Sequence, residues 1–184
     1  MKTMSESSGM MNRVGFKLMT WTYRVVDFFV PEVDKKLEDF GLSKGDVVID
    51  YGCGPGRYIR KASEMVGQEG LVYAADIEQL ALKEVGKIID RQGLDNVEPV
   101  LIHGYDSGLE TGCANLIYAL DMFHNVNRPD AFLAEIKRLL KDEGTFILED
   151  GHQSRKNTVQ KVQASGIWQI EAATDSYLRC LPRP

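Results

Sequence analysis

The stretch VVIDYGCGPGRY, which spans residues 47–58, places three glycines within five positions directly after a short apolar run. Glycine loses more conformational freedom on folding than any other residue, so this density indicates a backbone that adopts positive φ or closely approaches a ligand. The glycines follow the pattern GxGxG at Gly52, Gly54 and Gly56. A phosphate loop of the type GxxxxGK[ST] is excluded because no lysine follows Gly56, and a dinucleotide loop has the different spacing GxGxxG.

Asp50 stands two residues before the first of these glycines and indicates the charge of the ligand. A carboxylate would repel a pyrophosphate at short range, and it would attract a ligand that carries an ammonium and a sulfonium. S-adenosylmethionine is a nucleoside with a cationic amino-acid tail of this kind. The loop is therefore predicted to hold S-adenosylmethionine, and a nicotinamide-dinucleotide oxidoreductase is disfavoured.

Titratable side chains stand at the ends of five predicted strands. In open parallel sheets, ligands bind outside the carboxyl ends of the strands, so we expect these residues to form a polar rim around one crevice. Asp76, which lies 20 residues beyond Gly56, is placed to accept both hydroxyls of a ribose, although it could instead be the N-cap of the next helix. The strand-end residues are Asp50, Asp76, His103, Asp121 and Asp150, the last followed by His152.

Strands and helices alternate along the chain from residue 46 onward. The apolar runs in DVVIDYG, GLVYAAD, VEPVLIHG, CANLIYALD and TFILED are short and nearly continuous, as expected for parallel strands covered on both faces. Helical segments separate them, and one is expected to run from Arg128 to Gly144. Two further strand-like runs flank ATDS near the C-terminus. These patterns predict an α/β fold, a Rossmann-like, doubly wound, mostly parallel seven-stranded sheet with an antiparallel C-terminal hairpin.

The first 40 residues are predicted to form a helical segment that is not a separate domain. Apolar residues recur at helical spacing between Val14 and Phe28, and a second short helix is expected between Pro31 and Gly41. A minimal sheet leaves its ligand crevice open. We therefore interpret residues 1–40 as a lid over the cofactor-binding domain, which comprises residues 41–184.

Composition limits the class of protein and its compartment. The chain has 184 residues, a net charge of −5 and 43% hydrophobic residues, which suits one globular domain and argues against a surface that tracks nucleic-acid phosphates. Three widely spaced cysteines form neither a disulfide framework nor a zinc pattern, so a cytoplasmic location is expected. The N-terminus lacks the apolar core of a secretory signal, and no apolar run approaches the ~20 residues that span a membrane.

Five sequence blocks resemble successive motifs of class I S-adenosylmethionine-dependent methyltransferases, most closely those of the small quinone-biosynthesis-like branch. They are VVIDYGCGPGRY, VYAADI, HGYDSGLE, ANLIYALDMFHNV and EIKRLLKDEGTFILED, within residues 42–150. The resemblance implies that Asp76 contacts the ribose, Ile77 the adenine, and Leu120 the cofactor from the fourth strand. It leaves open whether Tyr105 or Asp106 meets the adenine, because this chain has GYD where relatives often have glycine, an acid and alanine. The residues implied beside the methionine part of the cofactor are Asp50, Tyr51, Gly52, Cys53, Gly54 and Gly56.

Histidines and an aspartate follow the fourth and fifth strands, where the acceptor would lie. Methyl transfer is an in-line displacement, and a general base contributes when the nucleophile carries a proton with a high pKa. The catalytic candidates are His124, His152 and Asp121, whereas His103 is expected to pack on the cofactor side. An alternative is a divalent metal held by Asp121, Asp150 and one of these histidines. The prediction that we retain contains no metal site.

The residues and the resemblance together predict an S-adenosylmethionine-dependent methyltransferase that acts on a small-molecule acceptor. No membrane or nucleic-acid partner is expected, and the exposed edge hairpin permits a homodimer. One alternative is transfer to RNA or protein, and another is a non-catalytic partner subunit that binds S-adenosylmethionine. The basic residues that could dock a macromolecule are Arg155, Lys156, Lys161, Arg179 and Arg183.

Overall fold

The computed structural model describes residues 32–183, which form a seven-stranded sheet with helices on both faces. The strands are β1 (Val47–Tyr51), β2 (Leu71–Asp76), β3 (Val97–Leu101), β4 (Ala114–Ala119), β5 (Leu140–Glu149), β6 (Trp168–Ala173) and β7 (Tyr177–Pro182). Their order in the sheet is β3-β2-β1-β4-β5-β7-β6. The first five are parallel, and β7 pairs antiparallel with both β5 and β6. The predicted sheet and its C-terminal hairpin are confirmed.

Helices connect the parallel strands. In the described part of the chain they are α1 (Glu32–Glu38), α2 (Ile59–Val66), α3 (Gln79–Gln92), α4 (Pro129–Leu139) and α5 (Arg155–Ala164), with a 3₁₀ helix at Phe123–Asn125. Pro129 opens α4, where its missing N–H would have no partner in any case. None of these described helices is long and apolar enough to cross a membrane.

Two hydrophobic clusters cover the two faces of the sheet, as a doubly wound fold requires. Val48 of β1 belongs to the cluster under α1, α2 and α3, whereas the next residue, Ile49, belongs to the cluster under α4 and α5. This alternation follows from the opposite directions of successive side chains in a strand. Because both faces are buried, the strands appear in the sequence as nearly continuous apolar runs.

Helix α4 is shorter than the sequence predicted. The helix expected to reach Gly144 ends at Leu139, because β5 begins at Leu140 and pairs there with Ala114 of β4. The register between β4 and β5 then shifts. Gly144 suits this irregular stretch because a Cβ there would lie 2.7 Å from Leu140 Cδ2.

Helix α5 was not predicted from the sequence. Its buried residues are Thr158 and Val162, so it lacks the long apolar stripe by which amphipathic helices are recognised. A local signal was nevertheless present, because Ser154 is the N-cap and its side chain accepts from the Asn157 N–H.

The described part of the N-terminal segment packs against the sheet. Leu37 and Phe40 are fully buried, and the ring of Phe40 packs edge-on against Tyr177 of β7. Leu37 and Phe40 therefore join this segment to the hydrophobic core. The helix predicted for residues 14–28 lies outside the described residues, as does all of the predicted lid before residue 32.

Candidate active site

The glycine loop that joins β1 to α2 is pinned to the carboxyl end of β2. The N–H of Gly52 donates to the Ala75 carbonyl at 2.7 Å. Gly52, Gly54 and Gly56 have φ of +86°, +53° and +86°, the left-handed region that glycine adopts without strain. Gly56 also allows close packing, because a Cβ there would lie 3.1 Å from side chains on α2 and α3. The loop is therefore a tight backbone cradle beside the sheet.

Asp76, the last residue of β2, stabilises this cradle and the loop that follows it. Its Oδ2 accepts from the Gly54 N–H and its Oδ1 from the Glu78 N–H, both at 2.8 Å. Because Glu78 is the N-cap of α3, Asp76 supports the turn before the helix without being its cap. Burial raises the pKa of Asp76, while the backbone N–H donors oppose the rise. A carboxylate can accept about four hydrogen bonds, so Asp76 retains acceptor capacity for a ligand.

Asp50 is a buried carboxyl with an unsatisfied oxygen. The residue is 2% exposed, and neither its Oδ2 nor the hydroxyl of Tyr118 has a hydrogen-bond partner among the described residues. Burial raises the pKa of Asp50 to about 8. The Tyr118 hydroxyl, which faces the carboxyl from β4 outside hydrogen-bond geometry, opposes this rise, and the charge of Asp76 adds to it. An unpaired buried acceptor is costly, and an ammonium group would satisfy it. The orphaned oxygen therefore fits a cationic ligand such as S-adenosylmethionine.

A cavity of about 1070 Å³ lies beyond the carboxyl ends of β1 to β4. Small-molecule pockets usually measure about 300–1,000 Å³, so this one has room for a nucleoside cofactor and a second small molecule. Ile77 on its wall is 62% exposed, which leaves a large apolar side chain available to a ligand. The sequence-predicted residues that line the cavity are Asp50, Tyr51, Gly52, Cys53, Gly54, Asp76, Ile77, His103, Tyr105, Leu120, Asp121 and His124.

Four sequence-predicted residues do not line this cavity, and one of them, Asp150, is described below with the histidine cluster. Gly56 lies against the helices, and His152 lies behind His124. Asp106 is exposed, and its Oδ1 accepts from the Gly108 N–H at 2.8 Å, which stabilises the turn after β3. Of the two residues proposed to meet the adenine, the structure thus places Tyr105 on the cavity wall and Asp106 outside it.

His124, His152 and Asp121 lie together beyond the ends of β4 and β5. The two imidazole rings pack edge to face with centroids 4.8 Å apart, and His152 Nε2 is 3.9 Å from Asp121 Oδ1. Asp121 has a φ of +51° and is the one non-glycine residue with positive φ in the described part of the chain. Backbone strain of this kind concentrates at functional sites. The structure therefore brings together the three catalytic candidates.

The imidazole of His124 is fixed by its neighbours. Its Nδ1 is buried and lacks a hydrogen-bond partner among the described residues, and a Cβ on Gly151 would overlap this nitrogen. Its Nε2 lies 2.9 Å from the side-chain amide of Asn125. Glycine at position 151 therefore leaves room for the ring. Because an amide nitrogen can only donate, Nε2 accepts from Asn125, and it can take a proton only after this donor turns away.

Asp150 is separate from this cluster. The Nε of Arg155 donates to both of its oxygens, at 2.7 and 3.0 Å, and Asp150 does not line the cavity. Within residues 32–183, no group of three or more His, Cys, Asp and Glu side chains is arranged to hold a metal. The structure therefore places Asp150 on Arg155 and does not bring it together with Asp121 and a histidine.

A family model described as "Methyltransferase domain" matches residues 42–178. The chain belongs to this family. The match covers most of the domain, including the glycine loop and the polar residues beyond β4 and β5. The predicted class I S-adenosylmethionine-dependent methyltransferase and its cofactor are thereby confirmed.

The methyltransferase domain is similar to methyltransferases whose names refer to different acceptors, one in ubiquinone/menaquinone biosynthesis and the other ribosomal RNA. The ubiquinone/menaquinone biosynthesis C-methyltransferase UbiE of Teredinibacter turnerae is 29% identical over 127 residues, which cover 68% of this chain and 51% of that protein. The ribosomal RNA large subunit methyltransferase E of Methanococcus vannielii is 24% identical over 122 residues, which cover 61% of this chain and 47% of that protein. The chain therefore spans about half the length of these curated relatives.

A solved structure of a SAM-dependent methyltransferase from Aquifex aeolicus has the same fold. It superposes with a TM-score of 0.74 at 22% identity, and the match covers 85% of this chain and 96% of that one. The superposition shows that the two chains share an architecture, and a sequence identity of 22% shows the fold alone.

Sequence reasoning missed several residues of the methyltransferase site. Tyr118 faces Asp50 from β4, and its hydroxyl within a buried strand was a signal that could have identified it. Asn125 contacts His124 from the next position in the chain. Gly151 could not have been identified, because its contact with His124 joins loops that follow different strands.

Proposed function

We propose that this domain transfers the methyl group of S-adenosylmethionine to a small-molecule acceptor. The observation that carries the proposal is one cavity with two chemically different sides. The glycine loop and Asp50 form one side, and Asp121 and His124 belong to the other. A cofactor and an acceptor in this single cavity would lie next to each other, as an in-line displacement requires.

The cofactor side offers a partner for each part of S-adenosylmethionine. The free Oδ2 of Asp50 would accept from the ammonium, Asp76 would accept from the ribose hydroxyls, and the exposed Ile77 would cover the adenine. Tyr105 and Leu120 would complete the cofactor wall. When bound, the cofactor supplies an electrophilic methyl group on its sulfonium. The role of these residues is to hold it and to exclude water from the reacting centre.

His124 is proposed to take the proton of the acceptor. Because its Nδ1 is buried against Gly151, Nε2 is the atom that would act as the base, once the acceptor displaces the Asn125 amide that donates to it. Asn125 lies beside Nε2 and would orient the ring. The His152 ring packs against His124, and Asp121, 3.9 Å from His152, supplies the negative charge that would attract the proton gained by this pair of imidazoles. A positioned general base of this kind contributes roughly 10²–10⁴ in rate.

Two of the five basic C-terminal residues are engaged within the fold, which favours a small acceptor over a macromolecule. Arg155 is paired with Asp150, and its Nη1 donates to the Thr174 carbonyl at 2.5 Å. Arg179 donates to the carbonyls of residues 39 and 40. These two arginines therefore stabilise the fold. Transfer to RNA stays the second candidate, because relatives named for ribosomal RNA are among those that match.

A thermal unfolding experiment tests the cofactor site first. S-adenosylmethionine, S-adenosylhomocysteine and NAD are added in parallel, each at saturating concentration. A ligand at 100 times its Kd adds about 2.7 kcal/mol, which for a chain of this size raises Tm by about 5–10 °C. A shift with the two adenosyl compounds alone is expected, and a shift with NAD alone would contradict the cofactor site.

Release of S-adenosylhomocysteine then tests the acceptor. One arm contains a panel of phenols, enols, amines and thiols, and the other contains transfer and ribosomal RNA. We expect turnover in the small-molecule arm, and we expect His124→Gln to lower it by about 10²-fold or more while calorimetry shows unchanged binding of S-adenosylhomocysteine. Turnover with RNA alone would favour the second candidate. Binding without turnover in either arm would favour a non-catalytic partner subunit.

A further inference from the structure

Tyr105 connects two loops that border the cavity. It belongs to the β3–β4 loop (residues 102–113), and its hydroxyl accepts from the N–H of Arg128, at the end of the β4–α4 loop (residues 120–128), at 3.0 Å. Its carbonyl accepts from the hydroxyl of Tyr51, the last residue of β1, at 3.0 Å. One residue thus contacts the end of the strand that carries Asp50 and the loop that carries His124.

The backbone around Tyr105 is held independently of its hydroxyl. His103 and Asp106 pair through their backbones at 2.9 and 3.1 Å. The hydroxyl and N–H of Ser107 both donate to Glu135 on α4, at 2.8 and 3.1 Å. The ring of Tyr105 also packs against the hydrophobic core. Loss of the hydroxyl would therefore leave the β3–β4 loop and the wall of the cofactor side in place.

The β4–α4 loop is less well held at its far end. Phe123 and Val126 are buried. The N–H of Val126 donates to the carbonyl of Phe123 within the same loop. Asn127 and Arg128 are exposed. The bond from the Arg128 N–H to Tyr105 fixes this exposed end to the other side of the cavity.

We propose that Tyr105 is a positioning residue that couples the cofactor site to the β4–α4 loop. The inference rests on the proposed function, because it assumes that a cofactor covers Tyr105 and that His124 acts on the acceptor. A ligand that packs on the Tyr105 ring restricts its motion, and the hydroxyl transmits this restriction to Arg128 and the loop. Binding of the cofactor thus fixes the loop that carries His124 before the acceptor reacts.

Amide hydrogen exchange with S-adenosylhomocysteine as the probe tests the coupling without an acceptor. In the wild-type chain, we expect the probe to slow exchange both in the glycine loop (residues 52–58) and in the β4–α4 loop. In Tyr105→Phe, we expect slowing in the glycine loop to persist and slowing in the β4–α4 loop to fall by about two- to tenfold, the range expected for one hydrogen bond. The matched control is Tyr73→Phe on β2, which removes a hydroxyl outside the cavity wall.

Each outcome distinguishes the coupling from the function on which it rests. Equal slowing of the β4–α4 loop in Tyr105→Phe and wild type would overturn the coupling, as would no slowing of this loop in wild type while the glycine loop slows. No slowing of the glycine loop in wild type would overturn the cofactor site and the coupling together. If Tyr105→Phe fails to fold, Tyr105→Leu replaces it, because it also removes the hydroxyl that accepts from Arg128 and should weaken the same slowing.

Discussion

Binding of the cofactor should release a proton from Asp50. In the ligand-free chain, burial holds the pKa of this carboxyl at about 8, so below pH 8 the group is mostly protonated. An ammonium beside the unpaired Oδ2 favours the charged carboxylate and lowers its pKa. At pH 6 to 8 the complex therefore holds fewer protons than the free protein.

The pH dependence of the affinity follows from the proton that binding releases. Where binding releases one proton, Kd falls about tenfold for each unit of rising pH, since one unit corresponds to about 1.4 kcal/mol. From pH 6 to pH 8, affinity for S-adenosylhomocysteine should thus rise by up to about 100-fold and then level off. The stability of the free chain changes in the opposite direction. A folded-state pKa raised above the ordinary 3.8 makes the contribution of Asp50 to stability largest at low pH, and this contribution is lost as pH rises toward 8.

Titration calorimetry measures both the affinity and the proton. S-adenosylhomocysteine is titrated at pH 6, 7 and 8 in two buffers of different ionisation enthalpy, so that the difference in heat counts the protons released. The pKa of Asp76 is also raised, so this carboxyl is a second possible source of the proton. Asp50→Asn is the control, because it removes the Asp50 proton and leaves that of Asp76. The variant should lose most of the pH dependence. A wild-type Kd that is constant from pH 6 to pH 8, with no proton release, would refute the reasoning.

Three further predictions concern glycines and the adenine contact. Gly56→Ala should lower the free energy of unfolding by about 1–3 kcal/mol, because its φ is +86° and a Cβ would press on α2 and α3. Its control in urea unfolding is Gly86→Ala in α3, which has open space around it and should raise stability by about 0.5–1 kcal/mol. Gly151→Ala should displace His124 and lower turnover by about 10- to 100-fold without changing affinity for S-adenosylhomocysteine, and equal turnover would contradict the proposed base. Ile77→Ser should weaken binding of S-adenosylhomocysteine by about 1–2 kcal/mol in the same calorimetry, unless the adenine lies elsewhere.

The cofactor side of the cavity could be predicted from the sequence because it depends on local features. The GxGxG spacing and the acid before it lie within one strand, one loop and the start of one helix. The positive charge of the ligand could be predicted from the position of Asp50 beside the glycines, without any contact that is distant in the sequence. The strands that position these residues were recognisable because burial on both faces leaves short apolar runs.

The acceptor side could be predicted only as a set of residue types. The sequence identified His124, His152 and Asp121, but the contact between His124 and Gly151 depends on how two loops meet in space. Helix α5 was missed because little of it is buried, and α4 was extended too far because a helical sequence pattern continued into β5. For α5 the local helical signal was weak, and for the start of β5 it favoured a helix. Tertiary packing decided the structure in both places.

The cofactor side and the acceptor side of the cavity lie largely on different elements, which matters for the selection of acceptors. Most of the proposed cofactor contacts lie on β1, β2 and the loops that follow them, with Tyr105 and Leu120 beyond β3 and β4. The catalytic candidates lie on the β4–α4 loop and on residues 150–152 after β5. Loops accept substitutions that the buried strands between them do not. Replacing Asn127, which lines the cavity and is exposed, should therefore change which acceptors react while the affinity for S-adenosylhomocysteine stays within about twofold of wild type. Turnover across the small-molecule panel and calorimetry on Asn127→Ala measure the two effects separately. If acceptor preference and cofactor affinity changed together, the two sides of the cavity would not be independent, and acceptor selection would have to be sought in contacts that both sides share.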